Sequence, residues 1–164
     1  MEFFDVVDRN RNPLGYIKKR SEKLEENEYN VGVEIWIFNN KELLITKRSL
    51  NKSHPGKWEV PGGCSQSNEI SCDTLSRELK EEIGISINND YTFLDTQIYK
   101  KQFVDIYKSN KHINLKNIIL QKDEVCDIKF VTKNQFLKMI ANNEIVNSVY
   151  ERYKLINDKI KNDW

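Results

Sequence analysis

Hydrophobic and polar positions alternate over several short stretches of this chain, a pattern typical of β-strands. Apolar residues dominate V-G-V-E-I-W-I-F at 31–38, which predicts a central strand, and E-L-L-I-T-K-R at 42–48 predicts another after the turn N-N-K. Three later stretches, at 91–99, 103–108 and 114–122, predict further strands. The chain is therefore expected to be built around a β-sheet.

The first 20 residues predict a β-hairpin. F-F-D-V-V-D and L-G-Y-I-K-K both alternate, and R-N-R-N-P joins them around Pro13. The polar stretch 21–28 indicates a connector or a helical turn. Within 1–28 we therefore expect an extension whose role is structural, a hairpin that covers a sheet edge.

The hydrophobic period then changes to 3.6 residues, which predicts a helix over about 72–83. Ser71 is the expected N-cap, Asp73 favours the first turn, and Gly84 is the expected end of the helix. At about 100° per residue, one apolar stripe would dock this helix on the sheet. The stripe consists of Cys72, Leu75, Leu79 and Ile83.

Glutamates cluster beside this stripe. Glu78 and Glu82 lie along its border, with Glu81 one step further round. The pair Glu78 and Glu82 is of like charge at i,i+4 spacing, which costs roughly 0.2–0.5 kcal/mol in an isolated helix. Lys80 and Arg77 could supply positive charge, but carboxylate oxygens suit a hard divalent cation better. The preceding P-G-G lets bare backbone approach a ligand, so a carbonyl there could join the metal shell.

The motif G-x5-E-x7-R-E-L-x-E-E-x-G-I at 63–85 resembles the Nudix box at every defined position. The resemblance implies that Glu78 and Glu82 are the main carboxylate ligands of Mg²⁺ or Mn²⁺, with Glu81 a further ligand or proton acceptor. Gly62 would lend its backbone carbonyl. A solvated charged helix after a turn is the alternative. The other defined positions would be structural. Glu69 and Arg77 would brace the loop against the helix, and Gly63 and Gly84 would have structural roles as well.

Cationic residues precede the motif, at the end of the second predicted strand and on the loop after it. Arginine makes bidentate contacts to phosphate and lysine acts as a point charge, so Arg48 and Lys47 are candidate substrate-binding residues. Lys52 follows on the loop. His54 is interpreted as a loop residue outside the metal shell, and the resemblance makes Trp58 a core residue.

Two acidic residues outside the motif could complete the site. Asp105 interrupts the apolar stretch F-V-D-I-Y, where an acid needs solvent or a cation. In the isomerase-like branch of the family a carboxylate on this strand faces the metal site. The segment around Glu124 resembles the E-V-x-x-x-x-W/F-V stretch that many Nudix proteins place near the active site. Either residue could act as general base or metal ligand, and only one need do so.

Two helices are predicted over 133–162. K-N-Q-F-L-K-M-I, capped by Thr132, would pack across the sheet. Helical spacing over 147–162 predicts a docking face that either the domain itself or a second subunit could cover, so a homodimer is possible. The expected apolar faces are Phe136, Leu137 and Ile140 in the first helix, and Val149, Tyr153, Ile156 and Ile160 in the second.

Composition excludes several classes of function. The 164 residues fit one domain, 1–164, and a net charge of +1 gives no global field that would recruit a nucleic-acid polymer. No stretch approaches about 18 apolar residues and no signal-peptide pattern is present, so we expect a cytoplasmic protein with no membrane partner. The cysteines form no C-x-x-C motif and suit a reducing compartment: Cys64, Cys72 and Cys126.

The family resemblance implies an α/β/α sandwich with a mixed β-sheet, to which the N-terminal hairpin is added. That hairpin resembles the extension of the branch that includes isopentenyl diphosphate isomerases. The expected activity is metal-dependent hydrolysis, by activated water, of a diphosphate linkage in a nucleoside diphosphate derivative or related organic diphosphate. Two alternatives stay open: an isomerase, since Cys64 lies near the place of the proton-donating cysteine, and a non-catalytic nucleotide-binding module.

Overall fold

The computed structural model describes residues 2–164, which form nine β-strands and three α-helices. A short 3₁₀ turn, Leu115–Asn117, is also present. The strands are β1 Phe3–Val7, β2 Pro13–Lys19, β3 Asn30–Asn39, β4 Glu42–Arg48, β5 Trp58–Glu59, β6 Gly62–Cys64, β7 Thr92–Tyr99, β8 Gln102–Ser109 and β9 Val125–Thr132. The helices are α1 Ser71–Ile83, α2 Lys133–Ala141 and α3 Asn147–Ile160.

The strands form one hairpin and one large sheet. β1 and β2 pair antiparallel, as the N-terminal alternation predicted. The other seven strands form a sheet with the order β5-β4-β3-β8-β7, in which β6 also pairs with β3 and β9 with β4. β3 and β8 run parallel, and the remaining pairs are antiparallel. The sheet is therefore mixed, as expected.

Both faces of β3 are buried, which explains its almost continuous apolar sequence. Ile35 and Ile37 pack towards α1, whereas Trp36 and Phe38 pack towards α2 and α3. Trp36 is fully buried and meets the ring of Phe136 edge to face, with the centroids 5.7 Å apart. Helices thus cover both faces of the sheet, and the α/β/α prediction is confirmed.

A split in the sheet makes room for a cleft. β3 and β4 pair only beside their connecting turn, at Phe38 with Leu43 and Asn39 with Glu42. Beyond that point they separate, and the segment between Trp58 and Cys64 fills the gap by pairing with both of them. Side chains from the middle of the sheet can therefore reach the surface here.

The beginning of α1 differs from the prediction. Ile70 is the N-cap residue, and Ser71 is the first residue of the helix. The Ser71 hydroxyl does not cap the helix but donates to the buried carboxylate of Asp105, and a hydrogen bond to an ionised acceptor is stronger than one between neutral groups. Asp73 lies in the first turn, and Gly84 ends the helix in the left-handed region with φ of 70°, as predicted.

The strand predicted at 114–122 is wrong. The Asn114 side chain accepts a hydrogen bond from the backbone of Lys116, which begins the 3₁₀ turn. Beyond it, the backbone amides of Ile119 and Gln121 donate to carbonyls in the last turn of α1. A helix end needs such donors, so the segment caps α1 instead of joining the sheet.

The two C-terminal helices are present as predicted. The Thr132 side chain caps α2 in a reciprocal capping box with Gln135. Leu137, which the sequence predicts on the apolar face of α2, is exposed because it lies about 100° round the helix from buried Phe136. The predicted face of α3 packs into the domain's own core: Val149, Tyr153, Ile156 and Ile160. Among residues 2–164 no helix is long and apolar enough to cross a membrane.

Candidate active site

A charged cleft of about 290 Å³ opens at the split in the sheet. It collects residues from β3, β4, β5, β6, β8, α1, α3 and the loop after β4. A larger cavity, of about 480 Å³, lies between the hairpin and the 65–69 loop, but Glu69 is the one motif glutamate on its wall. The smaller cleft is the candidate site, and six carboxylates line it: Glu2, Glu34, Glu59, Glu78, Glu81 and Glu124.

Two glycines of β6 shape the floor of this cleft. A Cβ atom at position 63 would lie 2.1 Å from the carboxyl carbon of Glu78, so only glycine leaves room for this carboxylate. A Cβ at position 62 would lie 2.3 Å from the backbone carbonyl oxygen of Val33 on the neighbouring strand. Gly63 thus gives space to a functional side chain, whereas Gly62 gives space to the backbone itself.

Arg77 holds the loop before α1 against the helix. Its guanidinium donates to both carboxylate oxygens of Glu69, at 2.6 and 3.0 Å, and to the carbonyl of Cys64 at 3.0 Å. The same side chain donates to Glu78 at 3.0 Å and to Glu81 at 2.9 Å. Glu69 and Arg77 therefore lie in the arrangement that a bracing role requires, and Arg77 also fixes two of the candidate ligands.

Glu82 lies one turn further along α1, and a lysine ammonium is close to it. Only 2% of Glu82 is exposed. The Nζ atom of Lys52 is 3.7 Å from the carboxylate of Glu82 and 2.5 Å from that of Glu124. Lys52 therefore joins a carboxylate of the helix to one that precedes β9, and the structure brings Glu124 to the motif glutamates.

Burial raises the pKa of both inner glutamates. Desolvation raises the pKa of Glu78 to about 7, although the neighbouring Arg77 opposes this shift. Desolvation, together with the negative charge of Glu59, raises the pKa of Glu82 to about 8, and Lys52 opposes it. The protein's own cations thus leave these carboxylates short of positive charge.

The carboxylates of Glu78, Glu82 and Glu124 are of the chemical type that binds a divalent cation, although their oxygens do not converge on one metal position. Within residues 2–164, no three side chains of the histidine, cysteine, aspartate or glutamate type stand together as a ready-made metal shell. Arg77 and Lys52 now occupy the carboxylates of Glu78 and Glu124. Carboxylate oxygens are nevertheless the ligands that Mg²⁺ prefers, and the inner pair needs added positive charge.

Asp105 is not brought to the cleft. It is buried on the α1 side of the sheet, where Arg11 donates to it at 2.7 Å and Thr96 at 2.7 Å. Burial alone would raise its pKa, but the hydrogen bonds from Arg11, Ser71 and Thr96 outweigh burial and hold the pKa below its ordinary value. The acid that interrupts β8 is therefore satisfied by Arg11 of the hairpin and does not line the site.

The two predicted phosphate contacts differ in position. Arg48 lines the cleft, but its guanidinium donates to Glu59 at 2.6 and 2.7 Å and to the hydroxyl of Ser53 at 2.9 Å. Lys47 lies outside the cleft lining, with its ammonium 5.6 Å from the ring centre of Trp58. Trp58 is buried, as expected of a core residue.

Sequence reasoning missed the ion pair between Glu34 and Arg152. The guanidinium of Arg152 on α3 donates to Glu34 at 2.5 Å, and the indole of Trp36 donates to the same carboxylate at 2.8 Å. A signal was present, because Glu34 interrupts an apolar strand just as Asp105 does. Its partner Arg152 lies 118 positions away, and the sequence around Arg152 does not identify it as that partner.

A sequence model of the NUDIX domain family matches residues 28–152. A Nudix hydrolase of Listeria monocytogenes, described as uncharacterized, is 33% identical to this chain over 150 residues, which is 89% of each protein. The match to the family covers far more than half of the chain, and this protein therefore belongs to the Nudix family.

Two further similarities bear on fold and branch. A crystal structure of a protein from Deinococcus radiodurans superposes with a TM-score of 0.75 at 22% identity, over 88% of this chain and 92% of that chain. This likeness supports the fold alone. An isopentenyl-diphosphate Δ-isomerase of Photorhabdus laumondii is 33% identical over 111 residues, which is 65% of this chain and 62% of the isomerase. The second similarity gives only weak support to the isomerase-like branch.

Proposed function

We propose that this protein hydrolyses a diphosphate linkage in a nucleoside diphosphate derivative or a related organic diphosphate, with the help of a divalent cation. One observation carries the proposal: the carboxylate of Glu78 lines the charged cleft, that of Glu82 is buried one helical turn away beside Lys52, and burial leaves both short of positive charge. Membership of the Nudix family supports the same conclusion.

The residues that would hold the cation, Mg²⁺ or Mn²⁺, are Glu78 and Glu82. Glu81 or Glu124 and the backbone carbonyl of Gly62 are further candidate donors. When bound, such a cation neutralises phosphate charge and lowers the pKa of a coordinated water. Lys52 would then move away from Glu82 and Glu124, because two positive charges at close range repel each other.

The protein's own side chains would position the substrate and move the proton. Lys52, once released, offers a point charge to a phosphate oxygen. Glu81 and Glu124 are the candidate general bases, because their side chains are 50% and 38% exposed and can exchange protons with water. Arg77 keeps Glu81 and Glu78 in place. The nucleophile is water, and no side chain forms a covalent bond with the substrate.

A substrate screen tests this proposal. Purified protein is assayed with Mg²⁺ against nucleoside triphosphates, nucleotide sugars, ADP-ribose, dinucleoside polyphosphates, coenzyme A and isopentenyl diphosphate. Released phosphate, nucleoside monophosphate and prenyl isomer are measured together. We expect cleavage of one class of diphosphate, which Glu82→Gln abolishes and Glu26→Gln, an exposed substitution on the connector, leaves unchanged.

Other outcomes would favour the two alternatives. Cys64 lines the cleft, where its sulfur accepts a hydrogen bond from Gln102 at 3.1 Å, and conversion of isopentenyl diphosphate that is lost in Cys64→Ser would establish an isomerase. Tight nucleotide binding without any turnover would establish a binding module. Either result would overturn the hydrolase proposal.

A further inference from the structure

The N-terminal hairpin contacts the interior strands β3 and β8, and it also reaches the cleft. The backbone amide of Ser67 donates to the carbonyl of Phe3, and the carboxylate of Asp5 accepts from Ser67 and Asn68. These contacts fasten β1 to the loop that precedes α1. The open end of the hairpin is therefore held at a fixed place relative to the motif glutamates.

Arg20 stands at this open end and lines the cleft. Its backbone amide donates to the carbonyl of Glu2, which closes the hairpin. Its side chain lines the cleft together with those of Cys64, Gln102 and Glu78. The side chain that follows β2 thus faces the candidate active site, although most of β2 is exposed to solvent on the outside of the molecule.

The ion pair of Arg20 and Glu2 is exposed at both side chains, whereas every other ion pair in the cleft has at least one buried or half-buried side chain. Among the described residues, Glu2 is the one side chain that accepts a hydrogen bond from Arg20, through one nitrogen at 2.6 Å. The two side chains are 51% and 46% exposed, whereas those of Arg48 and Glu59 are 14% and 17% exposed, and those of Arg152 and Glu34 only 9% and 5%. An exposed pair contributes little and exchanges partners readily.

We propose that Arg20 forms an anion subsite at the mouth of the cleft, where its guanidinium leaves Glu2 and binds a phosphate group of the substrate. This inference rests on the proposed function for the identity of the substrate. The planar guanidinium can offer two parallel donors to a phosphate but now uses one of its nitrogens for Glu2. Glu2 is then a competing anion that holds Arg20 when no substrate is bound.

Opposite effects from the two members of the pair test the subsite. Inorganic pyrophosphate is titrated into the full chain by calorimetry in the presence of Mg²⁺. We expect Arg20→Gln to weaken binding about tenfold or more, the loss that corresponds to one charge-assisted hydrogen bond. Glu2→Gln should tighten binding, because it removes the competitor. Arg9→Gln, an exposed change in the same hairpin, should leave binding unchanged.

The subsite is overturned if wild type binds no pyrophosphate, if Arg20→Gln and Arg9→Gln behave alike, or if Glu2→Gln fails to tighten binding. Should Arg20→Gln not fold, Arg20→Lys, which keeps the charge but loses the fork, and Glu2→Gln still decide the matter. Failure of the hydrolase proposal would give a different experimental result. If no organic diphosphate is cleaved in the screen while pyrophosphate binding still depends on Arg20, the subsite stands and the hydrolase proposal falls.

Discussion

The carboxylate of Glu78 lies in the space that a side chain at position 63 would fill. The missing Cβ of Gly63 would be 2.1 Å from both the carboxyl carbon and one carboxylate oxygen of Glu78. The backbone conformation at position 63 does not require glycine, because its φ is not positive; the glycines with positive φ are Gly15, Gly56 and Gly84. The glycine is therefore explained by the neighbouring carboxylate, which the packing of α1 against β6 holds in place.

Gly63→Ala and Gly62→Ala should consequently have different effects. At position 63 the obstacle is the end of a flexible side chain, so Glu78 can rotate into the cleft and the free energy of unfolding should change by less than about 1 kcal/mol. Affinity for Mn²⁺, measured by calorimetry, should fall at least tenfold. At position 62 the obstacle is the carbonyl of Val33, and the strain should destabilise the fold by about 1–3 kcal/mol. Equal loss of stability in both variants would contradict this explanation.

Lys52 supplies a second prediction, because its ammonium pairs with the carboxylates that we propose as donors to a metal. Lys52→Met should raise the affinity for Mn²⁺ severalfold, since the ion no longer displaces a competing charge. Lys57→Met is a matched control on the same loop, where the ammonium donates to Asn143 instead. If the two variants bind Mn²⁺ equally well, Lys52 does not compete with the metal.

The ion pair of Glu34 and Arg152 supplies a third prediction, about stability. Arg152→Met should destabilise the protein by about 3–5 kcal/mol in urea unfolding, because it leaves a buried carboxylate without its cation. Adding Glu34→Gln should restore part of this loss. Lys154→Met, which removes an exposed pair with Glu151 on the same helix, should cost no more than about 1 kcal/mol. Failure of the second substitution to restore any stability would show that the charge of Glu34 is not the cause.

Those parts of the site that depend on local spacing could be predicted from the sequence. Glu78 and Glu82 lie within one helix of 13 residues, so a period of 3.6 residues is enough to place them beside its buried stripe. Gly84 likewise ends that helix through its own backbone freedom. The alternation of strands and the two C-terminal helices follow from the same kind of short-range pattern, whereas the family resemblance implied the layers of the fold.

The remaining parts depend on partners that are distant in sequence. Asp105 is an anomaly that a reader of the sequence can see, but its partner Arg11 is 94 positions away on the hairpin, so the sequence left solvent and a cation as alternatives. Ser71 has the chemistry of an N-cap, yet the same distant carboxylate takes its hydroxyl. Ile119 and Gln121 follow an apolar pattern typical of a strand, although the unpaired end of α1 binds their amides.

The contact between Arg11 and Asp105 ties the hairpin to the sheet, and it predicts a dependence of stability on pH. Hydrogen bonding holds the folded-state pKa of Asp105 below its ordinary value of 3.8. The charged carboxylate therefore contributes fully to the free energy of unfolding above about pH 3.8, and this contribution is lost as the pH falls through the folded-state pKa. Asp105→Asn should therefore be clearly less stable than wild type in urea unfolding at pH 7 and at pH 5, and this difference should shrink below pH 4. Asp127→Asn, which changes an exposed aspartate, should differ little from wild type throughout. A difference for Asp105→Asn that grows as the pH falls would mean that the charged carboxylate destabilises the fold, contrary to its contacts with Arg11, Ser71 and Thr96.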